Sequence, residues 1–397
     1  MLVQFQLKNI LSFKEETILD MTAIPAYKEH KSNMIDIGRK EKFLRVSAIY
    51  GANASGKSNL CKAIKCFQTI VSDSINNVEQ NGKTAINKLY MPFSFETTKE
   101  NTEFQVVFID NNSEYRYGFE YNSDMIIEEW FYIKSLETNR ISTILERAGE
   151  EIKFGATIRK ECDLYKGQIP KETLVLSLFN RLVLNTDIFR KLYSQIQNIF
   201  VVAPTLCEDL EFFESLLEKV IDGEKDNFLE FLKAIDSGIQ NIECHEHENQ
   251  LKFTTYHVGK DGKSYPLDLF SESEGTRKSI MLYILIRYAI FQNRVMVVDE
   301  LNIKLHPLLL KFIIDLFYDE NSKAQLIYTT HDTTLLDKKF FRRDQIWFVQ
   351  KDEYGYSELV ALSEFKVRSD SSFEKDYLSG VYGGIPFLKD FDLGKEG

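Results

Sequence analysis

Apolar residues fall into three rhythms along this chain. The opening MLVQFQLKNILSF alternates as a half-buried strand does, and residues 1–20 read as a strand and hairpin. FLRVSAIY at 43–50 is a short apolar run that ends at a glycine-rich loop. The next segment, KSNLCKAIKCFQTIVSDSI, places Leu60, Cys61, Ile64, Phe67 and Val71 at helical spacing, so Cys61 and Cys66 are expected to pack within a helix. From 91 to 155 the texture changes to short aromatic and β-branched runs, FQVVFI, EYRYGFEY, EEWFYIKS and EEIKFG, separated by DNNS and YNSD turns. That pattern predicts an antiparallel meander, with the aromatics of 115–121 as alternating core residues.

ETLVLSLFNRLVLN and LEFFESLLEKVI carry amphipathic spacing, which predicts helices over most of 157–240. Alternation returns in NIECHEHENQLKFTTYHV at 241–258. The CHEH tetrapeptide invites a metal site, but alternation places Cys244 on the opposite strand face from His245 and His247. Towards the end, RVMVVDE, AQLIYTTH and DQIWFVQK are continuous apolar runs with abrupt polar ends. Strands of a parallel sheet buried on both faces read this way.

Composition narrows the class. A length of 397 residues is enough for one large or two to three ordinary domains, and 44% hydrophobic with 27% charged residues is a globular composition. A formal net charge of −11 opposes indiscriminate nucleic-acid binding without excluding a local basic groove. Five scattered cysteines, Cys61, Cys66, Cys162, Cys207 and Cys244, with no CxxC pair, fit free thiols in a reducing cytosol. No signal-peptide pattern opens the chain and no apolar run reaches the roughly 18–20 residues of a membrane helix, so a cytoplasmic protein without a membrane partner is expected.

Gly51-Ala52-Asn53-Ala54-Ser55-Gly56-Lys57-Ser58 fits GxxxxGK[ST] between an expected strand and an expected helix. Glycines let the backbone turn its N–H groups inward as a nest for phosphate oxygens, and the helix N-terminus adds a favourable dipole. In this pattern Lys57 reaches the β- and γ-phosphates and the Ser58 hydroxyl ligates Mg²⁺. RVMVVDE ends in Asp299-Glu300. An apolar strand ending in aspartate places a carboxylate near that Mg²⁺, and a glutamate one residue on can orient and deprotonate water. His331 ends the apolar strand LIYTTH, in reach of a γ-phosphate.

The order of phosphate loop, long insertion, SEGTRK, DE, LHP and histidine resembles the ABC-type ATPase heads, in the branch that includes structural-maintenance-of-chromosomes, RecF-like and OLD-family proteins. More closely, the chain resembles the RloA-like ATPases of bacterial phage-defence and abortive-infection loci. ILSFKEE, GANASGKSN, SESEGTRKS, DELNIKLHP, TTHD, RRDQIWFVQKDEYGYSEL and the tail YLSGVYGGIPFL carry that likeness. It implies an α/β P-loop head with a mixed sheet, an antiparallel β subdomain and a helical insertion lobe. The expected division is a first ATPase lobe at 1–90, the β subdomain at 91–155, the helical insertion at 156–245 and a second lobe at 246–397.

The resemblance also assigns roles. Gly51, Asn53, Ala54, Ser55, Gly56, Lys57, Ser58 and Asn59 would hold ATP, Ser58 and Asp299 would hold Mg²⁺, and Lys57, Glu300 and His331 would act on the γ-phosphate. SESEGTRKS occupies the place of the signature that grips ATP held by another subunit, with Ser273 and Gly275 as its contacts. Glu274 stands where a glycine is common, so it must point away or pair with Arg277 or Lys278. No Q-loop glutamine is assigned: Gln105 in TEFQVVF is a candidate on order alone, and an ordinary strand position is the preferred reading. No adenine-stacking aromatic is named, although Phe13 lies in the right general region. The implied partners are a second copy, or a larger homo-oligomer, joined through ATP, and a separate effector, a nuclease or toxin. The alternative is a RecF-like DNA-repair ATPase acting directly on DNA, with DKKFFRRD as its notable basic cluster. A scaffold that binds ATP and rarely hydrolyses it is the third reading.

Overall fold

A computed structural model of the chain describes residues 1–76, 84–98, 100–203, 210–236, 238–247, 250–368 and 371–385. Cys207, the side chain of His247 and the Pro386–Leu388 end of the tail motif lie outside the described residues. The alternation at the start produces β1 (Leu2–Lys8) and β2 (Thr17–Asp20), paired antiparallel. A two-stranded ribbon, β3 (Met34–Asp36) and β4 (Lys42–Leu44), precedes β5 (Val46–Tyr50), in which every residue is buried. Helix α1 (Lys57–Asp73) and the turn α2 (Ala85–Leu89) lead into the meander. Its strands are β6 (Thr102–Asp110), β7 (Ser113–Tyr121), β8 (Ile126–Ser135), β9 (Ile141–Ala148) and β10 (Glu151–Phe154).

Short helices α3 (Arg159–Cys162), α4 (Val175–Phe179) and α5 (Ile188–Gln197) come next, then a strand, β11 (Ile199–Val202). Helix α6 (Leu210–Ile235), with non-helical backbone at Glu224, is followed by β12 (Ile239–His247), β13 (Gln250–Val258) and β14 (Ser264–Asp268). The remaining elements are α7 (Glu274–Phe291), β15 (Val295–Val298), α8 (Pro307–Asp315), β16 (Gln325–Thr330), β17 (Ile346–Lys351), β18 (Ser357–Ala361) and α9 (Phe373–Leu378).

The continuous apolar runs form one sheet in the order β11-β15-β16-β5-β17-β18, parallel except for the β17–β18 pair. Its two faces carry different layers. Ile49, Val297, Ile327 and Val349 pack with Leu60, Ile64 and Phe67 of α1. Their strand neighbours Ala48, Tyr50, Val298, Tyr328 and Phe348 pack with Leu282 and Leu285 of α7, Leu310 and Ile314 of α8 and Tyr377 of α9. Period-two alternation thus places α1 on one face and α7 on the other.

The antiparallel sheet, ordered β10-β9-β8-β7-β6-β1-β2, covers the outer side of α1. Phe67 of α1 meets Phe5, Phe104 and Phe119 of that sheet at ring-centre distances of 5.6, 5.7 and 5.7 Å. Buried Gln325 ties the two sheets together: its amide oxygen accepts from Leu2 N at 2.8 Å and its nitrogen donates to the carbonyls of Leu2 and Leu44, each at 3.0 Å. Tyr115, Tyr117, Phe119 and Tyr121 are buried in the same core, which leaves them no open stacking face.

Two expected boundaries do not separate bodies. Pairing of β1 with β6 carries the antiparallel sheet across residue 90, because an N-terminal strand with one apolar face needs a neighbour as the meander does. The 156–245 stretch is shared among three places. Helices α3 to α5 pack in the α1 core, β11 joins the edge of the parallel sheet, and α6 packs with β12, β13 and α7 in a third core. In that third body Cys244 packs partly buried, while His245 is exposed beside Glu243 at 3.2 Å.

Candidate functional site

The carboxyl ends of β5, β16 and β15 lie side by side, with β16 between the other two. They deliver the phosphate loop, His331 and Asp299 to one edge of the sheet, the usual ligand edge of an open α/β fold. The loop needs its glycines for different reasons. A Cβ on Gly51 would lie 2.5 Å from the Val349 carbonyl oxygen. Gly56 has φ +118° and faces Ser357, whose Oγ a Cβ would approach to 2.3 Å. Ala54 is also left-handed, at φ 62°, and exposed with Asn53 at the loop crest. Buried Ser55 Oγ has no hydrogen-bond partner, which fits a loop shaped for a polar guest.

Lys57 opens α1 and is 4% exposed. Its ammonium donates to the carbonyls of Gly51 and Ala52 at 2.8 and 2.9 Å. Burial pushes its pKa down, while the charges of Glu300 and Asp299 oppose that shift. The lysine and the two carboxylates therefore share one electrostatic environment. Ser58 is half-buried beside Lys57. Asn59, expected against nucleotide, instead gives its amide to Ser12 Oγ at 2.8 Å.

Asp299 is 9% exposed and accepts from Thr329 Oγ1 at 2.7 Å. The same hydroxyl accepts from the backbone N–H of Glu300 at 2.8 Å, and Glu300 takes a left-handed φ of 51°. Thr329 thus ties the Asp299 carboxylate to the Glu300 backbone from the neighbouring strand. His331 is exposed, with its Nε2 3.3 Å from the amide nitrogen of Asn302. The donor set of a serine hydroxyl, an aspartate and a lysine fits a magnesium–triphosphate, since hard oxygen ligands suit Mg²⁺.

Ser273 caps α7 by accepting from Thr276 N at 3.1 Å, and it is exposed. A Cβ on Gly275 would lie 2.9 Å from the Lys304 carbonyl oxygen. Glu274 pairs with Lys304 at 2.8 Å, in place of the expected Arg277 or Lys278, and that hydrogen bond lowers its pKa. Lys278 turns instead to the carbonyl of Ile303 at 2.7 Å and that of Leu301 at 3.3 Å. The Ser273–Gly275 turn is thereby bound to the loop after Asp299-Glu300. Helix α7, which Ser273 and Gly275 open, packs on the sheet face opposite α1.

Three further sequence candidates take structural places, Gln105 in the strand expected of it. Phe13 is fully buried in the α1 core and has no face for an adenine. Gln105 lies within a cross-strand ladder, donating to Gln6 at 3.0 Å and accepting from Trp130 at 3.0 Å. In DKKFFRRD, Arg342 is fully buried and holds Asp344 at 2.9 and 2.7 Å together with the carbonyls of Ile24, Tyr27 and Glu29. Sequence reading assigned no role to Thr329, Asn302, Ser12 or Ser357. Thr329 is two residues before His331 in TTH, and Ser12 lies in the ILSF opening; both stood within quoted motifs without a role.

No helix among the described residues is long and apolar enough to cross a membrane. Among curated proteins none matches the sequence. Solved structures similar to the chain include an Smc head bound to the C-terminal winged-helix domain of ScpA, with TM-score 0.43, 16% identity and coverage of 94% of this chain and 99% of that one. The SMC head domain from Thermotoga maritima has TM-score 0.41 and 15% identity, covering 91% and 98%. An Smc head with an extended coiled coil, bound to the C-terminal domain of ScpA from Pyrococcus furiosus, has TM-score 0.42 and 14% identity, covering 96% and 99%. The family model described as "AAA domain, putative AbiEii toxin, Type IV TA system" matches residues 46–337, from the first residue of β5 to beyond His331. With its α/β fold and phosphate loop, the chain belongs to this AAA-domain family.

Proposed function

We propose that the protein binds and hydrolyses ATP with Mg²⁺ at the sheet edge, and that two copies close around the nucleotide. One relationship carries this reading: the Lys57 ammonium sits in the combined field of Glu300 and Asp299, at a loop whose buried Ser55 hydroxyl lacks a partner. Gly51, Asn53, Ala54, Ser55, Gly56 and Lys57 hold the triphosphate. Ser58 and the Asp299 oxygen not taken by Thr329 are offered to Mg²⁺, which supplies charge neutralisation for phosphoryl transfer. Glu300 orients and deprotonates water, and His331, steadied by Asn302, meets the γ-phosphate.

Ser273 and Gly275 act on ATP in the other copy. The exposure of the Ser273 cap at the start of α7 and the likeness of SESEGTRKS to a signature that acts in trans support this. ATP then joins the copies and hydrolysis separates them. We place this cycle in antiviral defence, with ATP state governing a separate nuclease or toxin. The family description, which names AbiEii and toxin–antitoxin systems, and the resemblance to RloA-like ATPases support that setting. Of the basic cluster that the direct DNA-repair reading would use, Arg342 is taken by its buried pair with Asp344, while Lys338 and Lys339 stay exposed. Light scattering of Glu300→Gln with saturating ATP and Mg²⁺ tests the proposal: a dimer is expected, and a monomer under those conditions rejects it.

A further inference from the structure

Among the described residues, the tail is hydrogen-bonded to the phosphate loop at Ala52. Ala52 N–H donates to the carbonyl of Gly384 at 2.7 Å, and Tyr377 Oη donates to the same oxygen at 3.0 Å. The carbonyl of Ala52, in turn, accepts from Lys57 Nζ at 2.9 Å. A single loop residue thus joins the tail on its N–H side to the lysine on its C=O side.

The contact is backbone against backbone and depends on two glycines. Gly383 and Gly384 both take left-handed φ, +67° and +68°, a conformation that L side chains rarely adopt. A Cβ on Gly384 would lie 3.4 Å from the Val349 carbonyl oxygen and 3.8 Å from Gly51 Cα, so the turn sits directly against the start of the loop. Tyr377 is 5% exposed and stacked on Phe348 at 5.2 Å and 14°. Burial pushes its hydroxyl up to about 12, so it remains a donor at neutral pH. The other end of the loop has its own anchor: Ser357 Oγ donates to the Ser55 carbonyl at 2.6 Å and lies 2.8 Å from Ser12 Oγ.

We infer that the Gly383–Gly384 turn is a positioning element of the nucleotide pocket, holding Ala52 so that the loop and Lys57 are set for a triphosphate. The inference rests on the nucleotide-binding reading above. A loop with left-handed backbone at Ala54 and Gly56 cannot keep its shape by local preference alone. It is pinned at both ends, by Ser357 and Ser12 behind Gly56 and by the tail at Ala52.

The test uses full-length protein and a fluorescent ATP analogue with Mg²⁺. Gly384→Ala, strained at positive φ, is expected to weaken analogue binding about tenfold, and Tyr377→Phe about threefold, on the scale of lost or loosened hydrogen bonds. Gly384→Asn recovers part of the loss, because asparagine tolerates this backbone. Leu217→Ala, in α6 and the third core, provides a destabilised control that keeps wild-type affinity. Wild-type affinity in folded Gly384→Ala, or an equal loss in Leu217→Ala, overturns the inference. Hydrogen exchange at the Ala52 amide reads the contact without nucleotide: faster exchange in Gly384→Ala is expected, and unchanged exchange refutes it. Failure of the wild-type chain itself to bind the analogue rejects the nucleotide reading instead.

Discussion

Lys278 in the signature helix places its ammonium 2.7 Å from the carbonyl oxygen of Ile303, three residues past Glu300. With the Glu274–Lys304 ion pair and the close approach of Gly275 to Lys304, it fastens the turn that would grip a partner's nucleotide to the loop that carries this chain's own glutamate. The Ser273 turn and the Glu300 loop are thus bonded directly to one another. Lys278→Met keeps the aliphatic stem and removes the charge-assisted bonds, which are worth about 1.5–3 kcal/mol each. Turnover is expected to fall about tenfold while nucleotide affinity stays within about threefold, as for an interaction realised only in the transition state. Steady-state kinetics beside equilibrium binding separate the two.

Thr329 is the hinge between the carboxylates. Its hydroxyl donates to Asp299 and accepts from Glu300 N–H, so Thr329→Val removes both bonds at nearly constant shape. The N–H of Glu300 then loses its partner, at a cost of about 1–3 kcal/mol. A lower Tm and a rightward shift of the Mg²⁺ requirement for turnover are expected, with Thr329→Ser restoring both. Mg²⁺ titrations of ATPase rate together with thermal melts check this.

Lys57 gives the pocket a pH dependence. Burial lowers its pKa in the free protein against the opposing pull of Glu300 and Asp299, whereas a bound triphosphate favours the charged form. Between the lowered value of the free protein and the higher value of the complex, binding must take up a proton. Affinity is therefore full below the free-protein pKa and falls as pH rises through it. Calorimetry in buffers of different ionisation enthalpy should show proton uptake on the alkaline side, absent in Lys57→Met.

What the sequence revealed and what it hid divide by contact range. The phosphate loop and Asp299-Glu300 were legible because strand, turn and helix are consecutive, and each residue type has a local reason. The pairing of Glu274 was misread because Arg277 and Lys278 are near in sequence, whereas Lys304 reaches it across a fold contact. Arg342 looked like part of a solvated basic turn until Asp344 and the carbonyls of Ile24, Tyr27 and Glu29 enclosed it. Strand β11 was hidden because four residues, IFVV, between helical stretches give periodicity too little length, and its pairing with β15 decides it. The tail was noted as a family marker, but its link to Ala52 depends on backbone turns that no apolar pattern encodes.

Completion of one pocket by another molecule is open to a mixing experiment. Lys57→Ala removes the phosphate lysine and leaves the signature turn intact. Ser273→Asp keeps a helix cap, because aspartate is a good N-cap residue, but sets a negative charge where a triphosphate would approach. Each variant alone should lack turnover, since every assembled site contains one defect. In an equal mixture about half the dimers pair unlike chains, and each such pair holds one intact site, made from the pocket of the Ser273→Asp chain and the turn of the Lys57→Ala chain. Turnover should return to about a quarter of the wild-type rate per chain if the sites act independently. If Ser273 instead serves the pocket of its own chain, no pairing repairs either defect and the mixture stays inactive at every ratio.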